Sequence, residues 1–455
     1  MSASGGPAMP AADKPGRRLL GGRPPRRPGI DEPTTPVPWS TPTATQPVHA
    51  TVPVPGSKSM TARALLLAAI SMGPSTLQFP SESRDSMVLA RGLRAMGCHV
   101  SSVDDEQWLL RPRPLAGPVR VDTELSGAAT RFLPPLAGLA TGPVSFDGHP
   151  ILRRARLEPQ LAAMAKLGIR VDSATGGLPL TVHGVGHVPG GAVSLDSSAS
   201  SQMVSGLLLV GADFDDGLRV RHEGPPLTGT PHVELTVTML RAAGAAIDAS
   251  VPDSWELWPG RLTGRAWTIE PDLVAAAPFL AAAVVTGGTV RIPRWPARAA
   301  QPAAALHAAL GGFGARCTHT TAGLLVSGCD KPHGAELDVT RLGELVPVLA
   351  AVAALATAPS HLRGVRRLAG EPDLVSGVCA GLAALGGAVD ETPDGLRITP
   401  RPLHGGVFDT RGDHRLAYAG AVLGLAVPGV QLSDVGTTAK SLPGFPSRWH
   451  RMLAG

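Results

Sequence analysis

A segment of about 70 residues recurs along this chain, and the recurrence limits the fold more than any other feature of the sequence. In each copy a helical pattern ends at a glycine, and two short strand-like segments joined by an Asp- or Gly-containing turn follow. Glycine is favoured just beyond a helix because it adopts the left-handed conformation at little steric cost, and such turns are typical of β-hairpins. The glycines of five copies, 70–76 residues apart, are Gly97, Gly168, Gly244, Gly314 and Gly387. A sixth copy would begin near Asp413, and the sequence ends where its hairpin would fall.

A period of this length is too long for a solenoid unit, so each copy is predicted to be a small βαβαββ subdomain. Six copies divide into two groups of three, and a chain of 455 residues is too long for one hydrophobic core. The composition changes at Arg265–Pro271, after the third copy, and we place the domain crossover there. The predicted first domain is residues 57–267, and the second combines residues 46–56 with residues 268–455.

Residues 1–45 are rich in Pro, Gly and Arg, and they lack the apolar periodicity of a helix or a strand. Such a segment buries too little apolar surface to offset the entropy lost on ordering, so we predict that it is disordered. A basic RNA-binding tail is the alternative, although aromatic residues are not interleaved with its arginines.

Composition argues against several classes of protein. The net charge of +5 is small for this length and does not predict a nucleic-acid partner. The longest apolar stretch, Leu345–Ala356, contains Pro347 and is too short to span a membrane, so no membrane association is expected. Four cysteines lack the spacing of a metal site, which predicts reduced thiols, no bound metal and a cytoplasmic location. They are Cys98, Cys317, Cys329 and Cys379. We also expect a monomer.

The sharpest motif is the segment PGSKSMTARALLL, which begins at Pro55. A Pro-Gly turn leads into an amphipathic helix with Lys58 and Ser59 at its N-terminus and Arg63 one turn later on the same face as Ser59. The free N–H groups and positive dipole at a helix N-terminus favour anions, and two cations strengthen that preference. An ordinary capped helix with a solvated Lys and Arg is the alternative interpretation.

Three further segments place polar side chains at helix N-termini. The run Ser197–Gln202 offers hydroxyl groups and an amide that suit a phosphate or a sugar-like alcohol. A serine-rich cap is the alternative interpretation of this run. The segment Gly412–Ala417 carries Arg415, and the segment Thr437–Pro443 carries Lys440. Taken singly, each of these two cations fits a surface charge equally well.

Together, and in this order, the four segments resemble the 5-enolpyruvylshikimate-3-phosphate (EPSP) synthase family. The resemblance covers about residues 46–450. It implies two inverse α/β domains, each of three βαβαββ repeats, with a ligand cleft between them. The implied reaction transfers the enolpyruvyl group of phosphoenolpyruvate to the 5-hydroxyl of shikimate 3-phosphate and releases phosphate. The implied partners are therefore small phosphorylated substrates, and no metal or organic cofactor is required.

The resemblance also implies roles for individual residues. Lys58 would contact both substrates, and Glu344 would handle the proton of the 5-hydroxyl, while Glu371 would protonate the methylene carbon of phosphoenolpyruvate. The other residues implied to bind shikimate 3-phosphate are Ser59, Arg63, Ser200, Ser201 and Gln202. The other residues implied to bind phosphoenolpyruvate are Gly127, Gln202, Arg415 and Lys440. Arg131 stands in the matching place after Gly127.

Several positions depart from the family pattern. The expected polar or charged residues are replaced at Ala62, Ala128, Ala155, Gly229, Gly370 and Leu374. Each charged partner lost from a ligand anion would cost about tenfold in affinity. Nearby arginines that could compensate are Arg153, Arg154, Arg156, Arg366 and Arg367. The replacements leave open a transferase that uses another acceptor and a non-catalytic protein that only binds ligand, because fold does not guarantee activity.

Overall fold

The computed structural model describes residues 38–104, 106–365 and 372–455 of the chain. Helices and strands alternate along these residues, as the repeat predicts. The helices are α1 (Lys58–Ala69), α2 (Arg84–Ala95), α3 (Gly127–Ala137), α4 (Pro150–Arg153), α5 (Glu158–Lys166), α6 (Gln202–Gly211), α7 (Thr230–Ala242), α8 (Leu273–Thr286), α9 (Ala303–Gly312), α10 (Val346–Ala354), α11 (Pro372–Ala384), α12 (His414–Ala426) and α13 (Phe445–Ala454).

The strands are short, as expected for repeats of this size. They are β1 (Trp39–Ser40), β2 (His49–Thr51), β3 (Ser75–Gln78), β4 (His99–Asp104), β5 (Gln107–Arg111), β6 (Val119–Asp122), β7 (Thr141–Asp147), β8 (Arg170–Ser173), β9 (Leu180–Val185), β10 (Gly191–Leu195), β11 (Leu218–His222), β12 (Ile247–Asp248), β13 (Ser254–Leu257), β14 (Ala266–Thr268), β15 (Thr289–Ile292), β16 (Arg316–Thr320), β17 (Gly323–Ser327), β18 (Glu336–Asp338), β19 (Ser360–Arg363), β20 (Ala388–Glu391), β21 (Gly395–Thr399), β22 (Gly406–Phe408) and β23 (Val430–Leu432).

Among the described residues these strands form six small sheets, and five of them share one order. In the sheet β6-β7-β9-β8, for example, β6 is parallel to β7, and the hairpin strands β8 and β9 are antiparallel. The same order recurs in β10-β11-β13-β12, β14-β3-β5-β4, β2-β15-β17-β16 and β18-β19-β21-β20. In chain order the units that begin with β6, β10 and β18 have the predicted βαβαββ form as continuous segments. In the other two units the outer parallel strand is remote in sequence, because β14 follows β13 instead of preceding α1, and residues 52–272 separate β2 from α8.

The sixth sheet is completed from the other end of the chain. It contains β22 and β23, and β1 pairs antiparallel with β23 in the place that a hairpin strand takes elsewhere. Thr41 is buried beside it, and its hydroxyl donates to the carbonyl of Val430 at 2.8 Å. The prediction of disorder through residue 45 is therefore wrong for residues 38–45, because this segment satisfies a sheet edge that would otherwise be unpaired. Residues 1–37 lie outside the described residues.

Two hydrophobic cores divide the molecule into two α/β domains. One core takes residues from Met60 to Ile269, and the other takes Val48–Val54 together with residues from Leu273 to Met452. The chain passes between the domains twice, at neighbouring positions. Gly56 and Pro271 form a β-bridge there, and the N–H of Asp272 donates to the carbonyl of Pro55 at 2.9 Å. The predicted two-domain α/β fold is confirmed.

Glycines end the repeated helices in the left-handed conformation, as expected. Gly97, Gly168, Gly244 and Gly314 have φ values of 108°, 90°, 93° and 91°. In the fifth copy the residue in this conformation is Gly386, with φ of 87°, so the alignment on Gly387 is wrong by one position. Either glycine of the pair satisfies the sequence pattern, and only the backbone geometry distinguishes them.

Across the described part of the chain, each helix is too short or too polar to span a lipid bilayer. The same residues contain no group of three or more His, Cys, Asp or Glu side chains arranged to hold a metal ion.

Candidate active site

A cavity of about 360 Å³ is lined by residues of both domains. Its walls include the N-terminal turns of α1, α6, α7 and α8 and the segment before α10. Free N–H groups point out of a helix N-terminus, so the convergence of these ends favours an anionic ligand. The sequence-predicted site residues that line the cavity are Lys58, Ser59, Ser200, Ser201, Gln202 and Glu344.

Lys58 begins α1, where Ser57 caps the helix by accepting from the N–H of Met60 at 3.3 Å. Its backbone N–H donates to Oδ2 of Asp272 in the other domain at 3.0 Å, and its Nζ lies 3.3 Å from Oδ2 of Asp85. Burial by itself would lower the pKa of Lys58. The charges of Asp85, Glu344 and Asp272 outweigh burial and raise that pKa, so the cation is preserved inside the site.

Two carboxylates at this cation escaped the sequence reasoning. Asp85 is buried at the start of α2, and its Oδ1 has no hydrogen-bond partner among the described residues. Asp272 caps α8 by accepting from the N–H of Ala275 at 2.9 Å, and burial raises its pKa. The N-cap role of Asp272 could have been predicted from the sequence, because this Asp stands just before an apolar run. The contact between Asp85 and Lys58 joins different elements and leaves no local sequence signal.

The hydroxyl-rich segment before α6 forms a second wall of the cavity. Oγ of Ser200 accepts from the N–H of Gln202 at 3.3 Å, and Ser201 is buried beside it. Nη1 of Arg131, a residue that also lines the cavity, lies 3.2 Å from the carbonyl of Gly127 and 3.5 Å from Oε1 of Gln202. A Cβ on Gly127 would approach that Nη1 to 3.1 Å, so glycine lets the guanidinium lie close to the start of α3.

Glu344 occupies a short 3-10 helix, Gly343–Leu345, on the second-domain side of the cavity. Its Oε2 lies 3.3 Å from Nε2 of His232 in the first domain, and its Oε1 lies 4.0 Å from Nη1 of Arg415. Burial alone would raise the pKa of Glu344, but His232, Arg415 and Lys58 together hold it well below its usual range. The carboxylate is therefore ionised at neutral pH. Sequence reasoning missed His232, because its partner is distant in the chain.

Arg415 and Lys440 lie next to this cavity rather than among its lining residues. Arg415, in the first turn of α12, donates from Nη2 to Oδ2 of Asp413 at 2.6 Å, and its neighbour His414 lines the cavity. Lys440 precedes Ser441, which also lines the cavity. Burial and the positive charge of Lys58 lower the pKa of Lys440. Lys58 and Arg415 both act on the pKa of Lys440, so the three cations lie in one region of the molecule.

Arg63 is placed differently from the sequence expectation. It does not line the cavity, and its guanidinium is buried among protein acceptors. Nε donates to Oγ1 of Thr236 at 2.8 Å, and Nη2 donates to the carbonyl of His232 at 2.8 Å. Nη1 donates to the carbonyl of Ser59 at 2.9 Å. In this structure Arg63 therefore fixes the backbone at two points of the cavity wall.

Three of the replaced positions are buried apolar residues that do not line the cavity. Ala62 and Ala128 are buried, and Leu374 packs in the second core. The arginines proposed to compensate for Ala155 do not line the cavity, and all three are exposed: Arg153, Arg154 and Arg156. Arg153 is instead paired with Asp147. Some predicted positions fall in the segment 366–371, outside the described residues: Arg366, Arg367, Gly370 and Glu371.

Gly229 caps α7 in the left-handed conformation, with φ of 72°. A Cβ at this position would approach Oγ of Ser201 to 2.9 Å, so a side chain here would press on the hydroxyl-rich wall. The neighbouring Thr228 donates its hydroxyl to the carbonyl of Ser198 at 2.8 Å.

Comparison with known proteins bears on the fold and on the family of the chain. The family model for EPSP synthase (3-phosphoshikimate 1-carboxyvinyltransferase) matches residues 42–449. An EPSP synthase structure from Acinetobacter baumannii superposes with a TM-score of 0.79 at 22% identity, covering 91% of this chain and 98% of that one. The enolpyruvyl transferase NikO from Streptomyces tendae superposes with a TM-score of 0.68 at 22% identity, covering 92% of this chain and 98% of that one. At such identities the superpositions show a shared fold.

The family model spans nearly the whole described chain, and it includes each segment from which the resemblance was first drawn. This chain therefore belongs to the EPSP synthase family, and it is an enolpyruvyl transferase.

Proposed function

We propose that the chain transfers the enolpyruvyl group of phosphoenolpyruvate to the 5-hydroxyl of shikimate 3-phosphate, within the shikimate pathway. The observation that carries the proposal is the single cavity that joins Lys58, the hydroxyl-rich wall with Gln202, and Glu344. Cations, hydroxyl groups and one ionised carboxylate are the groups needed to hold two anionic molecules and to deprotonate an alcohol.

Glu344 is proposed to accept the proton of the acceptor hydroxyl. The carboxylate is ionised at neutral pH, and it reaches the cavity from the second domain while His232 holds it from the first. A carboxylate held by contacts on both sides is positioned before substrate arrives, which reduces the entropic cost of proton transfer.

The donor is proposed to bind in the cavity against Lys58, Gln202 and Arg131, with Arg415 and Lys440 next to it. Lys58 stays charged because Asp85 and Asp272 offset its desolvation. As the acceptor oxygen bonds to C2 of phosphoenolpyruvate, its proton passes to Glu344, and the methylene carbon C3 gains a proton from an acid. In the second step C3 loses a proton and phosphate leaves C2, which regenerates the vinyl group. The acid assigned to C3 by resemblance is Glu371.

A different phosphorylated alcohol is the second candidate acceptor. Gly229 contributes no side chain to the wall, and the hydroxyl of Thr228 is engaged by Ser198. Fewer polar groups at these positions favour an acceptor that differs in its substituents.

The deciding experiment is release of inorganic phosphate from phosphoenolpyruvate, with and without shikimate 3-phosphate, together with NMR detection of the new vinyl ether. We expect release only when both substrates are present, and its loss in the variant Lys58→Ala. Unphosphorylated shikimate serves as the matched acceptor that lacks the phosphate. Turnover with another phosphorylated alcohol but not with shikimate 3-phosphate would transfer support to the second candidate.

A further inference from the structure

Arg341 lines the cavity from the second domain, three residues before Glu344. No motif of the sequence analysis points to it, because it is a single arginine in the loop between β18 and α10. Its side chain is 49% exposed, so the guanidinium is accessible from the cavity and from solvent.

The guanidinium of Arg341 is paired across the cleft with Glu234 of the first domain. Nη1 donates to Oε1 of Glu234 at 2.8 Å, and Nη2 donates to Oε2. Glu234 lies on the first turns of α7, two residues after His232, which itself faces Glu344. The pair therefore lies beside the hydroxyl-rich wall, where His232 and Gly229 also line the cavity.

We infer that Arg341 is a specificity-determining residue that exchanges Glu234 for the phosphate group of the acceptor. A guanidinium that forms two parallel hydrogen bonds with a carboxylate presents the same pair of donors to a phosphate. The inference rests on the proposed function for the identity of the acceptor. Arg341 is then an additional cation of the acceptor site, and Glu234 on α7 holds it in place until the acceptor phosphate binds to it instead.

The exchange is favourable because the pair with Glu234 is weak. Both side chains are about half exposed, and ion pairs in that setting contribute little net stability. A phosphate held between Arg341, the Ser201 hydroxyl and the α6 N-terminus would be shielded from water on more sides, and its charge-assisted hydrogen bonds would be stronger.

Two variants distinguish this role from a strut that only holds the domains together. Arg341→Ala removes the proposed phosphate donor, whereas Glu234→Gln breaks the ion pair and releases the arginine. We expect calorimetry with shikimate 3-phosphate to show a Kd raised by about tenfold in Arg341→Ala and unchanged or lowered in Glu234→Gln. Arg363→Ala is the matched control, because Arg363 forms an exposed pair with Glu336 away from the cavity and its loss should leave the Kd unchanged.

An equal increase of the Kd for shikimate 3-phosphate in Arg341→Ala and Glu234→Gln would overturn the inference. Both variants break the ion pair, so equal effects would mean that the pair only holds the two domains together. If the unaltered protein does not bind shikimate 3-phosphate, the proposed acceptor is wrong, and the same comparison is then made with inorganic phosphate. Opposite responses of the two variants to phosphate would support the role of Arg341. Absence of phosphate binding would overturn it.

Discussion

Three residues on different helices favour the ionised form of the Glu344 carboxylate. His232 approaches from the first domain at 3.3 Å, Arg415 approaches from α12 at 4.0 Å, and Lys58 contributes its charge from α1. Burial opposes ionisation, and these neighbours overcome it. The group should therefore act as a proton acceptor across the neutral pH range.

Replacing Glu344 by Gln should lower kcat by about a hundredfold or more, because the acceptor hydroxyl loses its proton acceptor while the shape of the side chain is kept. Steady-state kinetics and calorimetry on the same preparation measure this, and the Kd for shikimate 3-phosphate should change by only a few-fold. A large loss of binding with an unchanged kcat would show that Glu344 binds substrate and moves no proton.

His232→Asn should shift the pH dependence of kcat. Removing the imidazole takes away the largest influence that keeps the pKa of Glu344 low against its burial, so that pKa should rise. The acid limb of the pH–rate profile should then move to higher pH, and activity near neutral pH should suffer less than in Glu344→Gln. An acid limb that stays at the same pH would separate His232 from the ionisation of Glu344.

His414 predicts a pH dependence of stability. Burial and the charge of Lys58 lower its pKa, so the folded protein resists protonation there. Below the unfolded value of about 6.5 the unfolded chain binds the proton first, so the free energy of unfolding should decrease as the pH falls from 6.5. Denaturant unfolding at pH 7 and pH 5 should show a smaller decrease in His414→Asn. An equal decrease in both proteins would assign the effect to other groups.

At the scale of elements, the helix N-termini were the most predictable parts of the site. The turn before Lys58 and the serines before Gln202 each occur within one short segment, so sequence alone located them. Arg63 was expected on the same face of α1 as Ser59, but its partners Thr236 and His232 lie on α7. The sequence around Arg63 does not reveal that acceptors on another helix will occupy its guanidinium donors.

The N-cap of α7 gives a prediction at this scale. Gly229→Ala should destabilise the fold by about 1–2 kcal/mol through its left-handed backbone, and it should also displace Ser201. Gly444→Ala is the matched control, because Gly444 caps α13 with φ of 74° and a Cβ there meets nothing within 4 Å. Both variants should lose stability in denaturant unfolding, but only Gly229→Ala should also lose kcat/KM, by about tenfold or more.

At the scale of the whole molecule, the repeat predicted the units and their division into two domains. The strand β1 could not be predicted in the same way. Trp39 and Ser40 show no alternating pattern, and the partner β23 lies at the other end of the chain. Trp39 also packs edge-on against Phe445 and His450 of α13, with ring centroids 6.2 and 5.9 Å apart. Only the assembled domain creates the edge that β1 fills.

A chain beginning at residue 46 should be less stable than a chain beginning at residue 38, by about 2–3 kcal/mol. The shorter chain loses the antiparallel pairing with β23, the buried hydroxyl bond of Thr41 and the contacts of Trp39. Thermal unfolding of the two chains measures the difference. Identical melting temperatures would show that β1 contributes nothing to the second domain.

The chain leaves the second domain at Gly56 and returns to it at Pro271, and these two residues are neighbours. The first domain is therefore one continuous segment inserted into the sequence of the second domain. Joining Pro55 directly to Asp272, whose backbone atoms already share a hydrogen bond, would turn the second domain into one uninterrupted polypeptide. The excised residues, 56–271, would be produced as a second polypeptide that forms the first domain. Two separately produced halves could then be titrated against each other, and recovery of turnover on mixing would report how strongly they associate.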